Sequence, residues 1–191
     1  MTTALQTKKW NTTLNYIVGK KIAEQALGFL TTAGERITAA STLAEAMRGA
    51  LDEATPFLAD WLSVRLTASE TEYVSSSKGA TASSEQYREL AKLLAGGTAP
   101  LTLSVASGEV SPEHPDGELL RHAAAAGVGS AVVLPLVTNG NTLGLLTAFR
   151  VTARTDSEFT DAACRLLTDL AGRLALVAAA FASRADGHES A

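Results

Sequence analysis

Residues Val132–Phe149 read VVLPLVTNGNTLGLLTAF, an apolar run interrupted by Pro135, Gly144 and a central Asn139-Gly140 pair. Asn-Gly between two apolar runs is a two-residue hairpin signal, because a type I′ turn needs positive φ at both central positions. The turn predicts a register in which Thr138 faces Asn141, Val137 faces Thr142, Leu136 faces Leu143 and Pro135 faces Gly144. It puts Leu134, Leu136, Leu143 and Leu145 on one face and Ala131, Val133, Leu146 and Ala148 on the other. A ribbon apolar on both faces must be covered on both, as in a layered α/β domain. In this register Pro135 turns its missing N–H away from the hairpin partner, so the strand on its other side must pair loosely or end early, and Gly144 leaves room for the ring.

Outward from the hairpin, the periodicities alternate between helix and strand. STLAEAMRGALDEATPFL is an amphipathic helix with Ser41 as the expected cap. ADWLSVRLTASETEYVSSSKG reads as two strands, the first alternating Leu62, Val64 and Leu66 with Trp61, Ser63 and Arg65. SSEQYRELAKLLAGG is a helix ended by Gly96-Gly97, PLTLSVASG a strand, SPEHPDG a loop, and GELLRHAAAAG a helix that Asp116 is placed to cap. After the hairpin comes a long helix, expected to be capped by Asp156 or Ser157, with a stripe of Leu166, Leu170, Leu174, Val177 and Phe181. Upstream, Trp10, Leu14, Val18, Ile22 and Phe29 form another helical stripe. The expected organisation is a helical extension and dimerisation helix over 1–36, a domain over 37–185 and a disordered tail over 186–191.

Composition narrows the function. The 191 residues are 46% hydrophobic and carry a net charge of −4, which argues against a nucleic-acid surface. The start, MTTALQTKKWNTTLNY, has no apolar signal-peptide core, so a cytoplasmic location without membrane insertion is expected. The single cysteine, Cys164, precludes an internal disulfide and a cysteine-rich zinc site. GVGSAVV opens a strand rather than a helix, so it is not a dinucleotide fingerprint.

The Leu134-Pro135-Leu136 strand, the glycine-containing turn and Leu143-Gly144-Leu145-Leu146 resemble the C-terminal half of a GAF domain. TLAEAMRGALDEATPFLADWLSVRLT resembles the family's first helix and its Ala-Asp-containing first strand, here Ala59-Asp60. The resemblance covers roughly residues 37–184 and is weakest over 73–127. It implies an α+β fold with a central antiparallel sheet, the terminal helices on one face and a ligand-pocket layer on the other.

Members that bind bilin covalently use a cysteine in the middle of the domain, whereas Cys164 lies in the terminal helix. The cyclic-nucleotide signature Asn-Lys…Phe…Asp-Glu has no match, and members that reduce methionine sulfoxide need paired thiols. No haem and no covalent chromophore is therefore expected, and the cofactor is left unassigned. His188 is in the tail and His114 lies between Pro112 and Pro115. His122 is either a ligand contact, even to a haem iron, or an ordinary helix histidine.

Strand parity makes Trp61, Ser63 and Arg65 candidate ligand contacts, Arg65 as partner of an anionic group or as a side chain reaching solvent. The same logic puts Arg150 at the pocket rim, and a mostly apolar pocket is expected between the first strand and residues 96–127. The expected function is a non-enzymatic sensor or regulatory domain that binds a small molecule or a partner protein. It would signal through terminal helices shared in a homodimer, to an output domain or partner. The alternatives are a GAF-fold enzyme acting on a small oxidised metabolite and a ligand-free dimerisation module.

Overall fold

The computed structural model describes residues 24–189 apart from 56, 81, 97–99, 106–108 and 112–116. Its elements run α1 (residues 24–39), α2 (Leu43–Ala54), β1 (Trp61–Leu66), β2 (Glu72–Ser76), α3 (Ser84–Ala95), β3 (Leu101–Ser104), β4 (Glu109–Ser111), α4 (Gly117–Ala125), β5 (Val128–Thr138), β6 (Asn141–Val151) and α5 (Asp161–Glu189). The described strands form one sheet of six in the order β2-β1-β6-β5-β3-β4. Every neighbouring pair is antiparallel.

Two cores lie on the two faces. On one, Leu62, Val64 and Leu66 of β1 and Val132, Leu136, Leu146 and Ala148 of the hairpin pack against Met47 and Leu51 of α2 and Leu167, Leu170 and Leu174 of α5. Phe29 and Ala33 of α1 join this core, so the expected boundary at residue 36 falls inside a helix. On the other face, Trp61, Ala131, Val133 and Phe149 pack against Tyr87, Leu90 and Leu94 of α3 and Leu119 and Ala123 of α4. Sheet with helices on both faces is the expected layered architecture.

Caps set the helix ends. Thr42, not Ser41, caps α2: its hydroxyl accepts from Glu45 N at 3.2 Å, and Glu45 accepts from Thr42 N at 3.2 Å and Ser41 N at 2.9 Å. Moving the cap one residue on completes a capping box that Ser41 lacks. Ser83 and Gln86 make the same box at α3. α5 starts at Asp161, later than expected, because Thr160 takes the capping role (Ala163 N to its Oγ1, 3.2 Å). α5 also runs on to Glu189, into the stretch expected as a tail. By length and composition Asp161–Arg184 would pass for a membrane span, but Leu167, Leu170 and Leu174 are fully buried against the sheet.

The hairpin turn is as expected, with φ of 50° at Asn139 and 77° at Gly140. The register beyond it is not. A bulge lies between the Val137↔Thr142 and Leu136↔Gly144 pairs, and Leu143 is the extra residue. Pro135 therefore faces Leu145, and β6 beyond the bulge turns over: Leu146 and Ala148 join Leu134 and Leu136 on the α5 side, and Leu145 goes to the opposite side. Gly144 makes room for β1 rather than for the proline. A Cβ there would collide with the Arg65 carbonyl and come within 3.1 Å of Leu66 Cα. The expectation for the neighbouring strand holds, since β3 pairs β5 only as far as Leu101↔Val133, short of Pro135.

Candidate functional site

The sheet face away from α5 positions the site. At its β2-β1-β6 end the strand registers align two rows of side chains. One row is Val74, Ser63 and Thr147, and the other is Glu72, Arg65 and Leu145. Ala91, Lys92 and Ala95 of α3 roof these rows, and Glu70 of the β1–β2 turn stands at one end. The cleft, open to solvent on one side, has a volume of about 160 Å³ and adjoins a second hollow lined by Arg65, Leu66, Thr67 and Glu70.

Ser63 and Thr147 are paired across the sheet and are only 2% and 3% exposed, yet line the cleft. Neither hydroxyl has a side-chain hydrogen bond to another described residue. A hydroxyl in such a place turns to water or to a ligand. The charged groups divide. Glu72 is held by Arg88 at 3.0 Å, and Lys92 by Glu89 at 2.6 Å, a contact that raises the Lys92 pKa. Arg65 and Glu70 have no such partner among the described residues. Glu70 is in the left-handed region, φ 49°, an uncommon conformation for a residue with a side chain.

The other candidates lie elsewhere. Trp61 does face this side, but as a core residue: fully buried, stacked on Phe149 at 4.9 Å and tilted against Tyr87 at 5.9 Å. Its indole Nε1 is buried without a hydrogen-bond partner. With the leucines of α3 and β3, this aromatic cluster packs the region where a mostly apolar pocket was expected. His122 is exposed on α4, with Nδ1 2.9 Å from the Glu118 carbonyl. It borders a groove of about 360 Å³ between α3 and α4. His114 lies outside the described residues.

Arg150 is placed on the opposite face and not at a cleft rim. It is 4% exposed and donates to the carbonyls of Leu58 (2.9 Å), Asp156 (2.9 Å) and Glu158 (2.7 Å), with the Asp156 carboxylate at 3.2 Å and the Phe159 ring beneath it at 4.7 Å. Burial lowers its pKa. Parity explains the placement, because the bulge that sends Leu146 and Ala148 to the α5 side sends Arg150 there too. Asp60 completes this junction, accepting from Val151 N at 3.0 Å and Ser77 Oγ at 3.2 Å. Burial would raise the Asp156 carboxyl, but hydrogen bonding from Arg154 and the charge of Arg150 bring it below its ordinary value. Cys164 sits in α5 against the core of that same face, and burial pushes its thiol up.

Thr147 is the cleft residue that sequence reasoning missed, whereas Glu70, which with Glu72 reads from the sequence as a solvated turn, is exposed in that turn and lines the cleft from it. Thr147 became visible only through the bulge-shifted register.

An antiparallel sheet with helices on both faces is a fold found in sensor and regulatory domains. The chain belongs to the GAF domain family, whose model matches residues 35–177. Solved structures of the same fold include the phycoerythrobilin-bound GAF domain from a cyanobacterial phytochrome, at 16% identity and TM-score 0.63, covering 85% of this chain and 98% of that one. The phycocyanobilin-bound GAF domain from a cyanobacterial phytochrome matches at 18% identity and TM-score 0.60, over 82% and 94%. The GAF domain from a phosphoenolpyruvate-protein phosphotransferase of Coxiella burnetii matches at 20% identity and TM-score 0.58, over 87% and 98%. At these identities the likeness is one of fold. No match was found among curated proteins.

Proposed function

We propose that the chain is a non-enzymatic, cytoplasmic sensor or regulatory domain that binds a small molecule in the Ser63–Arg65–Thr147 cleft and passes the change to a homodimer of terminal helices. The observation that carries this reading is that two hydroxyls on nearly buried residues and an exposed, unpaired guanidinium line one cleft.

The bilins of the phytochrome neighbours are large and do not fit the described cleft, since about 160 Å³ is below the roughly 300–1,000 Å³ of pockets for drug-sized ligands. Trp61, Tyr87 and Phe149 occupy the adjoining interior, and Cys164 lies on the far side of the sheet.

The adjacency of the cleft and α5 at the end of β1 supports such a transmission. Thr67 lines the hollow beside Arg65, and Leu66 and Thr67 also line an apolar groove on the opposite face with Leu143 of the bulge and Ala178 and Phe181 of α5. Thr67 N donates to the Leu143 carbonyl at 2.9 Å, tying turn to bulge.

The stripe residues Phe29, Leu170 and Leu174 belong to the chain's own core, whereas Trp10, Leu14, Val18 and Ile22 lie outside the described residues. Among the described residues of the terminal helices, Leu27 of α1 (68% exposed) and Leu176 of α5 (62%) are exposed large apolar side chains, and the most apolar window of α5 is 33% buried within the chain. An apolar helix face of this kind suits a helix-to-helix contact between two copies. Light scattering tests it: the wild type should have a dimeric mass and Leu176→Glu a monomeric one with an unchanged melting temperature. A monomeric wild type at micromolar concentration would refute the dimer.

A further inference from the structure

We propose that the cleft is built for a small zwitterion, a free amino acid or a close analogue, held by its carboxylate between Arg65 and the Ser63–Thr147 hydroxyls and by its ammonium at Glu70. The inference deepens the sensor reading and rests on it.

The argument is one of charge and order along the cleft. Ser63 and Arg65 are two residues apart on β1 and so project to the same side. Thr147 stands opposite Ser63. These three place two hydroxyls and one guanidinium, all donors, along one stretch of the floor. A carboxylate is the group that accepts from such a set, and a guanidinium recognises it best. Glu70 follows past the end of β1, lining the cleft from the turn.

Two opposite charges line one small cleft, both on exposed residues. Arg65 and Glu70 do not pair with each other or with any other described residue, while the neighbouring charges Glu72 and Lys92 are both taken by α3 residues. A ligand carrying both signs is the complement of that arrangement. Glu70 keeps its position only by adopting positive φ, a conformation that costs on the order of 1 kcal/mol for a residue with a side chain. Leu145, Ala91 and Ala95 supply an apolar wall for a short side chain, and the volume admits little more.

Isothermal titration calorimetry of the whole chain tests the assignment. The probes are glycine, L-alanine, L-serine and L-threonine, each with its carboxylate-only and amine-only analogue, such as propionate and ethylamine for alanine. At least one amino acid should bind tenfold or more tightly than both its analogues. Arg65→Gln should weaken it at least tenfold, and Glu70→Gln should reduce its affinity to that of the carboxylate analogue. Both residues are exposed, so the variants should fold, which circular dichroism would check. Binding of the carboxylate analogue as tightly as the amino acid would overturn the zwitterion while leaving a small-molecule sensor. Absence of binding by every amino acid would also overturn it. If, in addition, no small molecule co-purified with the chain, the sensor reading would fall as well.

Discussion

Arg150 shows how much one side chain can hold. Its guanidinium ties the α2–β1 loop, through Leu58, to the β6–α5 loop, through Asp156 and Glu158. Arg150→Met would fill similar volume and leave three carbonyls without their charged donor. The expected loss is roughly 3–5 kcal/mol, the range for removing one partner of a buried charged network, whose coupled bonds do not add. Urea denaturation reads it as a lower midpoint with an unchanged slope. Arg150→Lys should recover little of it, since an ammonium cannot reproduce the planar fork. At Cys164 burial disfavours the thiolate, with Asp161 adding to it. Alkylation by iodoacetamide needs the thiolate. The native chain should therefore label slowly at neutral pH, and its rate should still be climbing with pH where an unfolded control has levelled off.

At the scale of elements, the β5–β6 hairpin governs both cores and the cleft. Gly144 lets β1 lie against β6 at the point where the cleft begins, so Gly144→Ala should push β1 away at the Arg65 carbonyl. The expected cost is about 1–3 kcal/mol, together with weakened ligand binding from a displaced Arg65. A melting curve and the titration above would read the two effects. This hairpin also marks how far the sequence is legible. Asn139-Gly140 specifies the turn through local backbone chemistry, and alternation in β1 places Leu62, Val64 and Leu66 toward the helices. The bulge at Leu143 has no such local signature. It arises from fitting β6 between β5 and β1, and one inserted residue exchanges the faces of everything after it. That is why Arg150 was expected at the pocket and lies beneath the β6–α5 loop, and why Thr147 was not expected at the cleft and lines it. Thr42 is a milder case: two adjacent cap-forming residues were available, and the position of Glu45 selects the second.

For the whole molecule, the two sheet faces divide the work. The face toward α1, α2 and α5 carries the larger apolar core and the outward Leu27 and Leu176. The opposite face carries the aromatic cluster and the polar cleft. The end of β1 and the turn after it are common to the cleft side and to the groove beside α5. The central claim is that the cleft is a small-molecule site in a dimeric domain. Native mass spectrometry of the purified chain tests it most directly, beside a Ser63→Val, Thr147→Val variant. The prediction is a dimer carrying a small bound mass in the wild type and the same dimer without it in the variant. A bare chain of the same mass in both, with no small molecule released on denaturation, would contradict it.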